Sequence, residues 1–174
     1  MASKAKPVSE SYTVQTEIVL PNDTNTLGNL FGGKLMLWMD IVSAIAAQRH
    51  SRRVVVTASV NNVSFNHPIK LGGVVTLEAK VSRSFNSSME VFVDVWVEDA
   101  ITGKKTKCNE AMYTFVAVDQ LGNAIHVPEA IPETEQEKER FAGALRRRQL
   151  SLILAGKMKP DDATELKALF FPEK

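Results

Sequence analysis

The chain has 174 residues, of which 44% are hydrophobic and 24% are charged, and its formal net charge is +1. This composition is typical of a soluble globular protein, and the small net charge excludes the broad electrostatic attraction with which basic proteins bind nucleic acids or acidic membranes. The single cysteine, Cys108, excludes a disulfide framework within the chain.

Targeting and membrane segments are not predicted. No stretch reaches the roughly 20 consecutive apolar residues that span a bilayer. The opening MASKAKPVSESYTV lacks the apolar core of a secretory signal. We therefore expect a cytoplasmic protein that binds neither membrane nor nucleic acid.

The first part of the chain predicts a strand, a loop and a buried helix. Residues 1–10 are polar, and we expect them to be flexible. The segment 11–20 contains β-branched residues in partial alternation, which predicts a strand, and 21–29 is rich in turn formers. From 33 to 50 good helix formers follow without proline, and apolar side chains cover almost the whole circumference of that helix.

The hydrophobic period then changes to two residues, which predicts a sheet with one buried face and one face nearer solvent. We expect four long strands, at 53–68, 74–82, 89–99 and 106–119. Their short connections favour antiparallel pairing.

Two helices are predicted after the strands, at 133–156 and 161–171. The first begins with acidic residues and continues with basic ones, an order that the helix dipole favours. We therefore divide the chain into a flexible N-terminus (1–10), a globular domain (11–128) and a C-terminal helical extension (129–174).

Asp40 is unusual on the predicted buried helix. An ionised carboxylate among apolar side chains needs a partner or a function. A helix that is apolar all round also needs more cover than a flat sheet provides. We therefore expect the sheet to curl around the helix and a second subunit to cover the remaining side.

Three segments in order carry a family resemblance: GNLFGG (28–33), the helix with an acid about two turns in (KLMLWMD, 34–40) and VVTASVNNVSFNHPIKLGGVV (55–75). They resemble the acyl-CoA thioesterases of the hotdog fold, most nearly the cytosolic acyl-CoA hydrolase branch, over roughly residues 12–150. The resemblance implies an α+β fold with an antiparallel sheet wrapped around a central helix. It implies dimers joined sheet edge to sheet edge, assembled as a trimer of dimers. It also implies hydrolysis of acyl-CoA to a fatty acid and coenzyme A without a cofactor.

The resemblance assigns catalytic roles near the helix start. Asp40 becomes the catalytic carboxylate, acting as a general base on water or attacking the thioester to form a mixed anhydride. Asn29 becomes the amide that holds the water or donates to the oxyanion, with Asn29 and Asp40 of one site drawn from opposite subunits. Gly32 and Gly33 present unpaired helix N–H groups to the carbonyl. From the residues alone, a paired structural acid, a turn asparagine and a simple glycine turn stay open.

The coenzyme A half of the substrate needs a groove for its pantetheine arm and cations for its phosphates. The resemblance places the arm along Thr57, Ala58, Ser59 and Val60. The phosphate candidates are Arg83, Ser87 and Ser88 of the loop SRSFNSS, and Arg146 and Arg147 of the RRR run. That loop has extra residues relative to the family pattern, and the RRR run equally fits a solvated helix face.

Other chemistries lack their motifs. No Cys/His spacing predicts a metal site, and there is no G-x-S-x-G, Rossmann or P-loop motif. The rival functions are a hydratase or dehydratase of the same fold, which needs a histidine near an acid, and a non-catalytic acyl-CoA-binding regulator, which does not need Asp40. We expect His50 and His126 at the surface and His67 as a turn or packing residue.

Overall fold

The chain divides into two compact units, Met1–Ile131 and Pro132–Lys174. The computed structural model describes residues 5–61, 63, 65 and 67–170. Among these residues, no helix is long and apolar enough to cross a bilayer.

The first unit is built on a five-stranded antiparallel sheet with the strand order β2–β4–β5–β6–β3. The strands are β2 (Thr13–Ile18), β3 (Val54–Asn61), β4 (Val74–Ser84), β5 (Ser88–Glu98) and β6 (Lys105–Val118). A small parallel pair joins β1 (Lys6–Pro7) to β7 (Ala130–Ile131), and a 3₁₀ turn at Val8–Ser11 buries Val8 in the core. β2 and β3 are therefore the edges of the main sheet.

The central helix α1 (Gly32–Ser51) contacts all five strands of the main sheet, so the sheet curls around it as expected. Leu35, Met39 and Val42 lie on the covered side and are at most 3% exposed. They pack against the inward-facing residues of the strands. The period-two pattern of the sequence correctly predicted which residues of β4 face inward. The core residues of β4 and β5 are Val75, Leu77, Ala79, Val81, Met89, Val91, Val93 and Val95.

The opposite side of α1 is open in the single chain. Leu37 is 50% exposed and Ile41 is 42% exposed, and Met36 and Ile45 are also partly open. The helix is thus apolar all round and covered on one side only, which agrees with the expected need for a further partner surface.

Two expectations were wrong in detail. β5 is buried on both faces from Ser88 to Val95, because it is the central strand and its acids are paired. Ser82 Oγ donates to Glu90 at 2.5 Å, and Lys107 Nζ lies 2.7 Å from Asp94 Oδ1. His50 is fully buried rather than at the surface, and its Nε2 donates to the Pro128 carbonyl at 3.0 Å.

The second unit contains α2 (Glu135–Leu154) and α3 (Thr164–Phe170). Thr134 begins α2 with a reciprocal capping box, in which Thr134 Oγ1 accepts from the Glu137 N–H at 3.2 Å and Glu137 Oε2 accepts from the Thr134 N–H at 3.0 Å. The Leu166 N–H donates to Gln149 Oε1 at 2.9 Å, which ties α3 to α2.

Candidate active site

Asp40 lies near the middle of α1 and is half-buried. The hydroxyl of Thr57 on β3 donates to Asp40 Oδ1 at 2.9 Å. This contact engages one carboxylate oxygen, while the described residues place no hydrogen-bond donor on the other, Oδ2. The structure thus brings together two of the residues expected in the site.

A β-bulge in β3 accounts for the direction of Thr57. Thr57 pairs with Phe115 of β6, whereas Ser59 pairs with Thr114, so Ala58 is the extra residue between them. Bulges are found beside active sites, where they redirect a side chain. Here the bulge begins at the residue whose hydroxyl meets Asp40.

Tyr113 supports the helix turn that carries Asp40. Its hydroxyl donates to the Met36 carbonyl at 3.1 Å, one helical turn before Asp40, and its ring stacks on Phe115 with centroids 6.2 Å apart. Burial, and then the negative charge of Asp40, raise the pKa of Tyr113 to about 12, so the hydroxyl remains a donor at neutral pH. Tyr113 was not predicted from the sequence. It lies two positions after Ala111 on β6 and therefore on the same, buried face of the sheet. A buried tyrosine hydroxyl needs a hydrogen-bond acceptor.

The loop before α1 orients an amide that the sequence reasoning also missed. Asn25 Oδ1 accepts from the Leu27 N–H at 2.9 Å and from the Asn29 N–H at 3.2 Å. The Asn25 N–H in turn donates to the Asn29 carbonyl at 2.8 Å. Because its oxygen is held by the loop, the exposed Asn25 side chain presents its NH₂ group as a donor.

Asn29 supports Asn25 through its backbone, and a bridge to Lys70 fixes its position. Its own side chain is half-buried. Signals for Asn25 were present in the sequence, since an asparagine two residues before Leu27 suits an Asx turn.

The start of α1 is open to a ligand. Phe31 is the N-cap residue, and no side chain caps the first turn. A Cβ on Gly33 would lie 2.8 Å from the Phe31 ring, and one on Gly32 would lie 3.4 Å from the Phe65 ring. The glycine pair therefore lets two aromatic rings approach the helix start, where uncapped N–H groups carry partial positive charge.

Two groups of candidate contacts for coenzyme A lie in the first unit. Thr57, Ala58, Ser59 and Val60 lie on β3, whose outer edge has no strand partner among the described residues. Arg83, Ser87 and Ser88 lie around the β4–β5 turn, with β5 and β6 between β4 and the edge strand β3.

The phosphate candidates differ in availability. Ser88 is only 6% exposed, and the Arg83 guanidinium lies over the Phe85 ring at 5.7 Å. Arg146 and Arg147 lie on α2 of the second unit, where Arg147 Nη2 donates to the Arg140 carbonyl at 2.9 Å. The structure therefore does not gather the five phosphate candidates at one site within the first unit.

Metal binding has no support in the described part of the chain, where no group of three or more His, Cys, Asp or Glu side chains could hold an ion. Cys108 donates to the Val95 carbonyl at 3.4 Å, and burial raises the pKa of its thiol to about 11. A thiol so held is a poor nucleophile.

Comparisons with known proteins identify the family of the chain. The thioesterase superfamily matches residues 27–104. An uncharacterized acyl-CoA thioester hydrolase of Bacillus subtilis, YkhA, is 46% identical over 128 residues, covering 74% of either chain. The human cytosolic acyl coenzyme A thioester hydrolase is 36% identical over 77% of this chain, which spans only 36% of that protein.

Solved structures share the whole fold. An acyl-CoA hydrolase from Bacillus cereus superimposes with a TM-score of 0.85 at 38% identity, covering 95% of this chain and 98% of its own. A hexameric acyl-CoA thioesterase in its apo form gives 0.84 at 39% identity, covering 87% and 97%. The Staphylococcus aureus acyl-CoA hydrolase in complex with butyryl coenzyme A, coenzyme A and coenzyme A disulfide gives 0.82 at 37%, covering 88% and 95%.

Three further structures of the S. aureus enzyme carry single alanine replacements of an asparagine, an aspartate and a threonine, which lie 15 and 17 positions apart in that sequence. Asn25, Asp40 and Thr57 repeat these residue types at these separations. Asn29 lies only 11 positions before Asp40.

Proposed function

This chain belongs to the hotdog-fold thioesterase superfamily, in which it is an acyl-CoA hydrolase, and we propose that Asp40, Thr57 and Asn25 form its catalytic site. The observation that carries the proposal is the Thr57–Asp40 hydrogen bond beside an uncapped helix start. The replacements made in the S. aureus enzyme support it, because they concern the same residue types at the same spacing. For the amide we favour Asn25 over Asn29, since the loop directs the NH₂ group of Asn25 outward.

The reaction follows from the chemistry of these groups. Asp40 Oδ2 takes a proton from water, and the water oxygen attacks the thioester carbon. The carbonyl oxygen becomes an oxyanion that accepts hydrogen bonds from Asn25 and from the helix start at Gly32 and Gly33. Collapse breaks the C–S bond, the sulfur takes the proton from Asp40, and a carboxylic acid and free coenzyme A leave.

The same carboxylate permits a second route, in which Asp40 attacks the thioester and water then cleaves the mixed anhydride. A single turnover in H₂¹⁸O with enzyme in excess tests for the anhydride route in which water attacks the aspartyl carbon, because attack on the acyl carbon labels the released acid in either route. Water attack through a general base puts the label only in the released acid. Label in the Asp40 carboxylate identifies the anhydride route when water attacks the aspartyl carbon.

We further propose that the site is shared between subunits. The exposed side of α1 and the unpaired edge of β3 adjoin the Asp40–Thr57 pair, and both suit a second copy of the chain. A dimer joined along β3 covers both, and the hexameric relative supports a trimer of such dimers. A cytoplasmic location is proposed as well, supported by the human relative named cytosolic.

The decisive experiment replaces the carboxylate by an amide of the same shape. Asp40→Asn is expected to lower kcat by roughly 10²-fold or more, because the general base is lost, while the oligomer and its melting temperature are retained. Release of free thiol from a panel of acyl-CoAs measures this. Wild-type turnover in Asp40→Asn, with the exposed Glu165→Gln as control, contradicts the mechanism.

A further inference from the structure

The loop between β2 and α1 folds as a small hairpin with Asp23 at its base. The Phe31 N–H donates to the Asp23 carbonyl at 2.8 Å, and nearer the turn the Asn25 N–H donates to the Asn29 carbonyl at 2.8 Å. One antiparallel bridge lies between these two contacts. The contacts that hold Asp23 therefore also determine where the Asn25 side chain lies.

The Asp23 side chain attaches the base of this hairpin to α1. One carboxylate oxygen, Oδ1, lies 3.0 Å from Lys34 Nζ, and the other, Oδ2, accepts from the Leu20 N–H at 3.1 Å. The Lys34 ammonium, and then the Leu20 N–H, lower the pKa of Asp23 below its ordinary value. Asp23 is only 6% exposed, so loss of Lys34 leaves a nearly buried charge without its cation.

Lys34 occupies a position that helix electrostatics disfavours. It is the third residue of α1, and the first turn of this helix contains no acidic residue. The amino end of a helix carries partial positive charge, so an ammonium group there is unfavourable by itself. A residue that breaks such a local rule indicates a compensating contact or a function. Asp23 supplies the compensation, and the Trp38 ring, with its centroid 5.7 Å from Nζ, restricts the ammonium from the next turn.

The ion pair connects the two sources of donors for the proposed oxyanion. Asp23 lies two residues before Asn25, which carries the side-chain donor. Lys34 directly follows Gly32 and Gly33, which belong to the helix start with the backbone donors. Donors that stabilise an oxyanion need a fixed geometry before the reaction begins. A displacement of about 1 Å can cost about 10²-fold in rate.

We propose that Asp23 and Lys34 are positioning residues, and that their ion pair aligns the NH₂ group of Asn25 with the N–H groups at the start of α1 on one carbonyl oxygen. The inference rests on the thioesterase site proposed above and adds the contact that holds two of its parts together. In this role neither charged side chain contacts the substrate.

Two substitutions of opposite charge test the pair. Lys34→Met removes a positive charge and Asp23→Asn a negative one, and each is expected to lower kcat for butyryl-CoA roughly tenfold with KM within about twofold of wild type, because each releases the hairpin. A purely electrostatic effect on the oxyanion changes kcat in opposite directions in the two variants, and that result overturns the inference. Lys34→Arg retains the cation and is expected to keep kcat within about twofold of wild type. If Asp23→Asn does not fold, Lys34→Met and Lys34→Arg carry the test.

A double-mutant cycle determines whether the pair acts through Asn25. Once the amide donor is absent in Asn25→Ala, adding Lys34→Met is expected to lower kcat by no more than about twofold further, since residues that act as a unit are not additive. A merely structural ion pair gives the full loss in both backgrounds. That additive result, or a wild-type kcat in Lys34→Met alone, overturns the inference.

Lys107→Met is the matched control. Lys107 Nζ also contacts a largely buried carboxylate, that of Asp94 at 2.7 Å, and the Lys107 and Lys34 side chains are both 36% exposed. This pair joins β5 to β6, so the control is expected to lower the melting temperature but leave kcat unchanged. An equal kcat loss in both lysine variants contradicts a positioning role. A wild-type kcat in Asn25→Ala, or a wild-type protein that releases no thiol, instead overturns the proposed catalytic site itself.

Discussion

The Thr57 hydroxyl donates to Asp40 Oδ1 across 2.9 Å and thereby joins the edge strand β3 to the central helix α1. The pair lies where the sheet ends and the uncovered side of the helix begins. A carboxylate on a helix surface would otherwise rotate freely. The threonine selects one orientation, and the bulge at Ala58 lets the strand present that hydroxyl.

Removing this hydroxyl is expected to damage catalysis more than folding. Thr57 is exposed in the single chain, so Thr57→Val should change the melting temperature little. A hydrogen bond to a charged group contributes about 1.5–3 kcal/mol, so kcat should fall about ten- to hundredfold if it orients the reacting carboxylate. Thr57→Ser retains the donor and serves as the control. Equal kcat in the valine and serine variants contradicts an orienting role.

The two asparagines of the loop are expected to behave differently. Asn25→Ala removes the NH₂ donor and should lower kcat roughly 10²- to 10³-fold with a small change in KM, as loss of an oxyanion donor does. Asn29→Ala keeps the backbone N–H that holds Asn25, so it should stay within a few-fold of wild type. Steady-state kinetics of the two variants measure this. A large loss of kcat in Asn29→Ala, together with a wild-type kcat in Asn25→Ala, would assign the role of oxyanion donor to Asn29.

Tyr113 is expected to act as a positioning residue. Tyr113→Phe removes the hydrogen bond to the Met36 carbonyl with little change in shape, and should lower the free energy of unfolding by about 1 kcal/mol. If the bond holds the turn that carries Asp40, kcat also falls several-fold while KM is unchanged.

Tyr12→Phe provides the matched control for that measurement. It also removes a hydroxyl with one hydrogen bond, from Tyr12 to Glu78 Oε1 at 3.0 Å, but on a contact that does not involve α1. Its kcat should equal that of wild type. If Tyr113→Phe loses stability but keeps the full kcat, the role of Tyr113 is structural and it does not position Asp40.

The elements that could be predicted from the sequence are those with a local signal. The period of two at 74–82 identified β4, and the apolar circumference of 33–50 identified α1 with Asp40 on it. Asn25 was not selected because an Asx-turn spacing is common to many turn asparagines, and the spacing does not show that two backbone N–H groups hold its side-chain oxygen. His50 was placed at the surface because it follows two polar residues, yet it is fully buried and its ring donates to the carbonyl of Pro128, 78 positions later.

His50 is expected to make the fold sensitive to acid. Burial lowers the pKa of His50 below its ordinary value of 6.5, while the Pro128 carbonyl and Glu10 oppose that effect and Lys6 adds to it. Its Nδ1 is buried without a hydrogen-bond partner among the described residues, so a proton there lacks an acceptor. The unfolded chain takes up this proton near pH 6.5 and the folded chain only at lower pH. Stability is therefore full above pH 6.5 and falls as the pH drops towards the folded pKa.

Urea unfolding at pH 7.5 and at pH 5.5 measures this loss, which can reach about 1.4 kcal/mol per pH unit. His50→Gln should show a smaller difference between the two pH values, whatever its absolute stability. His126→Gln, which changes an exposed ring, should keep the wild-type difference. An unchanged difference in His50→Gln assigns the acid sensitivity to other groups.

A site shared between subunits is expected to recover when two inactive variants are mixed. The Asp40→Ala chain retains Asn25, and the Asn25→Ala chain retains Asp40. In a mixed dimer one of the two sites combines the Asp40 of one chain with the Asn25 of the other and is complete. With equal amounts and random exchange, half the dimers are mixed, so about one quarter of wild-type activity should return. Exchange is followed independently with a mass tag on one variant. If the subunits exchange fully and thiol release does not recover, both residues of each site come from one chain. A dimer joined along the edge of β3 is then not required to complete the site.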